Sequence, residues 1–89
     1  MNFIKHDLGY KSGGDVAVVT LTTAANVQLM DSVNFQNYHN GRRYSYYGGY
    51  RDRSPVYLRI PHSGHWHIVI DLGGYSGRVG SSVQVLSNP

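Results

Sequence analysis

Apolar residues recur at every second position in several short runs of the chain. PVYLRI, residues 55–60, alternates Val56, Leu58 and Ile60 with Tyr57 and Arg59, the pattern of a half-buried β-strand. HWHIVIDL, 65–72, sets Trp66, Ile68, Ile70 and Leu72 on one face and His65, His67, Val69 and Asp71 on the other. Between the two runs, Pro61, Ser63 and Gly64 predict a turn, so both apolar faces are expected to meet in one core. NVQLMD places Val27 and Leu29 opposite Gln28 and Met30. DVAVVTL, 15–21, is apolar on both faces, which predicts a central strand covered on both sides or one carrying a bulge. FIKH reads as a short edge strand before the turn-rich GYKSGG, and SVQVL as the last strand after GGYSGRVGSS.

Two stretches break the pattern. SVNFQNYHNG, after Asp31, reads as a loop of roughly ten residues or as a single helical turn. RRYSYY can alternate as a strand that Gly48 and Gly49 then end, with Tyr44 and Tyr46 on one face and Arg43, Ser45 and Tyr47 on the other. No window shows a sustained apolar stripe at helical spacing. The expected fold is all-β: one domain over residues 1–89, a compact antiparallel β-sandwich of Greek-key or jelly-roll type with six to eight short strands.

Composition narrows this picture. Glutamate is absent and lysine nearly so, which removes the usual helix-favouring surface residues. A domain of 89 residues buries only about 60 to 65% of the surface its unfolded chain exposes, so its stability margin is modest. The chain has no cysteine, which excludes disulfides, thiolate metal sites and thiol nucleophiles and favours a reducing compartment. MNFIKHDLGYKSGG lacks the apolar run of a signal peptide, and no stretch approaches the roughly 20 apolar residues of a membrane span. A cytoplasmic protein without membrane partners is expected.

The net charge of +3 is small but localised. Arg42, Arg43, Arg51 and Arg53 face only Asp52 within their segment, whereas Lys5, Lys11, Arg59 and Arg78 are balanced by Asp7, Asp15, Asp31 and Asp71. The whole excess therefore falls in GRRYSYYGGYRDR, residues 41–53, together with Tyr44, Tyr46, Tyr47 and Tyr50.

The phrases MNFIKHDLGYKSGGDV, LMDSVNFQNYHNGRRYSYYGG and IPHSGHWHIVIDLGGYSG resemble a family of bacterial proteins known as domain of unknown function 1883, and the resemblance covers essentially the whole chain. It implies a small β-sandwich, found alone or as the N-terminal module of longer proteins, some of which carry a TIR domain. It implies no established activity and no agreed catalytic residues.

Candidate chemistry must therefore come from the residues themselves. Arginine forks suit phosphates and carboxylates, and tyrosine rings stack on bases or on the C–H faces of sugars. The ligand-binding candidates are thus Arg42, Arg43, Tyr44, Tyr46, Tyr47, Tyr50, Arg51 and Arg53. The simplest reading of the segment is a solvated hairpin whose rings lie on neighbouring strands. A glycan or small polar ligand and a protein partner come next, at equal rank. Nucleic acid comes last, because so local a charge neutralises few phosphates and neither the ribonucleoprotein-type aromatic motif nor zinc-finger spacing is present.

His65 and His67 share a strand face, with His62 in the preceding turn, and this trio can ligate zinc or nickel with Asp71 or Asp7 as a fourth ligand. The signal is slight, since H-x-H also arises wherever a solvent face needs polar residues. GGYSGRVGSS, with Arg78, has the glycines of a phosphate cradle but not the lysine and helix of a Walker loop, and a tight β connection explains it more simply. No nucleophile elbow is present, and five aspartates, four of them expected at strand ends or turns, offer little for paired-carboxylate chemistry. The sequence thus predicts a non-catalytic recognition or sensing module without a cofactor. Its alternatives are a single-stranded nucleic-acid binder built on Tyr44, Tyr46, Tyr47 and the flanking arginines, and a self-associating structural unit with open sheet edges.

Overall fold

The computed structural model describes residues 3–73 and 77–87. In chain order the elements are β1 (Ile4–Lys11), β2 (Val16–Leu21), β3 (Ala25–Asp31), α1 (Ser32–His39), β4 (Tyr47–Arg51), β5 (Val56–Arg59), β6 (Gly64–Asp71) and β7 (Ser81–Leu86). Two antiparallel sheets result, one in the order β1-β6-β3-β4 and one in the order β5-β2-β7. The chain changes sheet at every strand-to-strand connection except that from β3 to β4. This is the predicted all-β sandwich, with seven strands among the described residues.

The core between the sheets is built by the alternating runs. Trp66, Ile68 and Ile70 of β6 and Val27 and Leu29 of β3 meet Ala17 and Val19 of β2 and Val56 and Leu58 of β5, with Ile60 beside them. The connection over residues 60–63 carries the chain from the three-stranded sheet to the four-stranded one, so β5 and β6 face each other across the core without pairing. β2 departs from expectation. Its register is continuous, and only the Ala17 and Val19 face is fully buried, with Val16 and Val18 half-buried on the other.

The opposite face of the four-stranded sheet has a second, aromatic core. Met30 and Val69, which point away from the sandwich interior, are covered by Phe35 and Tyr38 of α1, with Phe3 and Tyr44 packed alongside. Residues 32–39 therefore form a two-turn helix where the sequence reading gave a loop or one turn. The Asp31 carboxylate caps its start by accepting from the Asn34 N–H at 2.9 Å. Gly41, at φ +72°, closes its end in the left-handed conformation, its N–H donating to the Tyr38 carbonyl. Only Phe35 and Tyr38, three apart, face the sheet, which is too brief a stripe to stand out among asparagines and glutamine. The Tyr38 hydroxyl donates to Asp71 at 2.9 Å, and Asp71 also accepts from Asn26 and from the Gly73 N–H.

Glycines explain two further differences. β1 runs on past FIKH to Lys11, because Gly9 at φ +74° is absorbed in a bulge where the register shifts between Asp7 and Gly9. β4 contains Gly48 and Gly49 rather than ending at them. Gly48 lies at φ +117° where an added Cβ would collide with the Val27 carbonyl oxygen, so the absence of a side chain is what lets β4 pair with β3. RRYSYY before it is irregular except for Tyr47.

Candidate functional site

The backbone of the arginine and tyrosine segment is held to α1 and to β3, while most of its side chains are open to solvent. The Ser45 N–H donates to Asn34 Oδ1 at 2.7 Å, tying the irregular stretch to the first turn of α1. Tyr44 is half-buried, its ring edge-on to Tyr38 at 5.0 Å between centroids, and it belongs to the aromatic core rather than to a surface. Tyr46, Tyr47 and Tyr50 are 44%, 52% and 65% exposed and so keep ring area for a ligand. Arg42, Arg43, Arg51 and Arg53 are all exposed, and among the described residues none of them forms an ion pair.

The exposed tyrosines serve two different concavities. Tyr50 joins Arg78, Asn26, Leu72 and Gly73 around a cavity of about 740 Å³ at one end of the sandwich. Of GGYSGRVGSS, residues 74–76 lie outside the described residues, Gly73, Gly77 and Arg78 line this cavity, and Ser81 and Ser82 begin β7. Tyr46 and Tyr47 line a separate groove of about 320 Å³. Buried Trp66 lies at its base between Tyr47 and His62, and Met30, Asp31, Asn34 and Ser45 complete its lining. The Trp66 ring lies 6.3 Å from that of Tyr47 and 5.1 Å from that of His62, and its indole N–H donates to the His62 carbonyl at 2.9 Å. Core packing thereby fixes the groove floor, and the floor fixes the turn that presents His62.

The histidine trio does not stay together. His62 belongs to this groove, whereas His65 and His67 lie on the opposite face of β6, their rings stacked at 4.8 Å. Asp7 on the neighbouring β1 joins them, because it pairs with His67 just before the bulge. Asp71 does not, being committed to Tyr38, Asn26 and Gly73. The Gly9 N–H and then the His65 imidazole hold the Asp7 carboxyl below the ordinary carboxylate range. His65 Nε2 is 2.6 Å from Asp7 Oδ1.

His67 is 5% exposed, sandwiched between the rings of His65 and Phe35, with Nε2 bonded to the Ser32 hydroxyl at 2.9 Å. Its Nδ1 is buried and has no hydrogen-bond partner among the described residues, and the 4.0 Å to Asp7 Oδ1 is electrostatic contact only. A buried polar atom left in this state costs about 1 to 3 kcal/mol. Burial is the main influence pushing the His67 imidazole below its ordinary value, with the Asp7 charge opposing it. The unfolded chain takes up this proton near pH 6.5, about the usual imidazole value, and the folded chain only at lower pH. The stability that neutral His67 contributes is thus complete above that value and is lost as pH falls toward the folded one. Melting curves of chelator-treated protein between pH 7.5 and 5 should show this decline, and a His67→Gln variant should show a shallower one. Parallel declines in the two would refute the assignment.

The model of the domain of unknown function DUF1883 matches residues 1–89. The chain belongs to that family. No curated protein and no solved structure matches it. For this DUF1883 domain, then, function has to be argued from the groove and the histidine face. Sequence reasoning had singled out Tyr46, Tyr47 and His62 separately, but not Asp31, Asn34, Ser32 or the role of Trp66 as a groove floor. The available signal was the capping pattern at Asp31 and Asn34, which announces a helix start beside the tyrosines.

Proposed function

We propose that the domain is a non-catalytic recognition module, bacterial and cytoplasmic, that holds a carbohydrate-type ligand in the groove between Tyr46, Tyr47 and His62. One observation carries the reading. Two exposed tyrosine rings and an exposed imidazole converge over a buried tryptophan, with carboxylate, amide and hydroxyl groups from Asp31, Asn34 and Ser45 within the same small concavity. Aromatic faces take up the C–H faces of a sugar while such polar groups orient its hydroxyls, and a volume near 320 Å³ lies at the lower end of the range of ligand pockets. Arg42 and Arg43 shortly precede Tyr46 and Tyr47 in the chain and can extend contact to acidic substituents. A non-catalytic role is supported by the carboxylates themselves. Asp31 is a helix cap, Asp71 a hydrogen-bond hub, and Asp15 accepts from the Ser12 N–H. The absence of cysteine supports a reducing compartment.

A glycan array and a set of oligonucleotides, probed at low and physiological salt, test this against the nucleic-acid alternative. A glycan site built on stacking keeps most of its affinity as salt rises and loses about tenfold or more in a Tyr46→Ala, Tyr47→Ala double variant. Tyr44 is left intact because it supports the aromatic core. Oligonucleotide binding tighter than micromolar, falling on a log–log plot with a slope of about −0.7 per neutralised phosphate, would overturn the proposal.

A further inference from the structure

We infer that Asp7, His65 and His67 form a binding site for a divalent cation of the zinc type, on the face of β6 opposite the groove. One ligand atom from each, the Asp7 carboxylate oxygen and a ring nitrogen of each histidine, lies within 4.8 Å of the others. Bonds of about 2.0 Å at tetrahedral angles place ligand atoms about 3.3 Å apart. The separations of 2.6 Å from Asp7 Oδ1 to His65 Nε2 and 4.0 Å to His67 Nδ1 straddle that value, and the two ring nitrogens, within 4.8 Å of each other, have at most about 1.5 Å to close, which rotation of the exposed Asp7 and His65 side chains can supply.

The second, independent observation is His67 Nδ1. It is buried, has no hydrogen-bond partner among the described residues and lies 4.0 Å from the Asp7 carboxylate, while the Nε2 of the same ring is engaged by the Ser32 hydroxyl. When Nε2–H donates to Ser32, Nδ1 presents a lone pair to the site, which is how a metal-ligating histidine is oriented by a partner on its other nitrogen. The stack of His65, His67 and Phe35 holds both rings in place before any ion arrives. The β1 bulge keeps Asp7 opposite His67, its carboxylate fixed by the Gly9 N–H at 2.8 Å. Two imidazoles and one carboxylate leave a fourth position for water, and Asp7 and His65 are exposed, so an ion has a way in.

Calorimetric titration of chelator-treated protein with zinc chloride at neutral pH tests this. One equivalent should bind with a dissociation constant in the micromolar range or tighter, and saturating zinc should raise the melting temperature. Asp7→Asn and His65→Gln change exposed side chains, and the asparagine can still accept from Gly9. Both variants should fold and melt like the parent without zinc, yet bind it about tenfold or more weakly. His62→Ala should bind as the parent does. Absence of heat and of any melting shift at roughly 100 micromolar zinc would overturn the inference. So would affinity that survives both substitutions, or that is lost with His62.

Discussion

Truncating Trp66 to alanine is expected to cost about 3 to 5 kcal/mol, the range for deleting a large buried aromatic. The ring is 1% exposed and is the largest of the fully buried side chains, in contact with strands of both sheets and with the rings of Tyr47 and His62. Its neighbours cannot collapse into the space. Val27, Leu29 and Ile68 are held by strand pairing on either side. In a domain of this length each kcal/mol moves the melting midpoint by about 4 to 8 °C, so the variant should melt tens of degrees below the parent or fail to fold. Trp66→Phe, which keeps most of the burial and loses the indole bond to His62, should fold with a smaller drop. Thermal melts by circular dichroism distinguish these outcomes. An alanine variant that melted within a degree or two of the parent would contradict the inward placement of β6.

Gly48→Ala should be the most damaging exposed substitution. A methyl group there meets the Val27 carbonyl oxygen, a backbone atom of the paired strand that cannot swing aside, and the residue sits at φ +117° as well. The two effects together are expected to cost about 2 to 4 kcal/mol and to loosen β4 from β3. Gly41→Ala is the control. Gly41 is also at positive φ, +72°, but an added Cβ would meet nothing within 4 Å, so only the conformational cost of about 1 to 2 kcal/mol applies. Denaturant melts of the two variants should rank Gly48→Ala well below Gly41→Ala. Equal losses would mean that the close approach of β4 to Val27 is not present in solution. Because β4 carries Tyr47, Gly48→Ala should also disturb the groove.

The strands that read clearly in the sequence were those buried on one face and polar on the other, such as 56–60, or those with two distinct apolar sets, such as 65–72. Period-two alternation determines which side chains share a face, and the placement of Trp66, Ile68 and Ile70 against Val56, Leu58 and Ile60 follows from it. What alternation does not carry is what covers the second face of a strand. Met30 and Val69 are buried by α1, a helix too short and too polar to register as periodic, whose evidence lies in Asp31 and Gly41 at its ends. Glycine was ambiguous in the same way. The residue that ends one strand permits a bulge or a close approach in another, and only the partner strand decides which, as at Gly9 and Gly48.

Site geometry was less legible than the fold for a related reason. His62 and His65 are only three residues apart, yet one lies before β6 and rests on Trp66 while the other projects from the far side of the sheet. Asp7, more than fifty residues away in sequence, lies within 2.6 Å of His65, because β1 pairs with β6. The tyrosines likewise divide among the aromatic core, the groove and the larger cavity according to α1 and β4, elements that the run of arginines and tyrosines does not announce.

The central claim is that the Tyr46, Tyr47 and His62 groove binds a carbohydrate, and Trp66 offers a direct reporter. It is the only tryptophan in the chain, and its indole N–H marks the groove floor. Nuclear magnetic resonance spectra of ¹⁵N-labelled protein, titrated with a panel of neutral and acidic mono- and oligosaccharides, follow that signal together with the backbone amides of Ser45, Tyr46, Tyr47 and His62. At least one sugar is predicted to shift these signals in a saturable manner, and the Tyr46→Ala, Tyr47→Ala double variant to abolish the shifts while preserving the rest of the spectrum. Spectra unmoved by every sugar in the panel, or shifts centred on Tyr50 and Arg78 instead, would contradict the account.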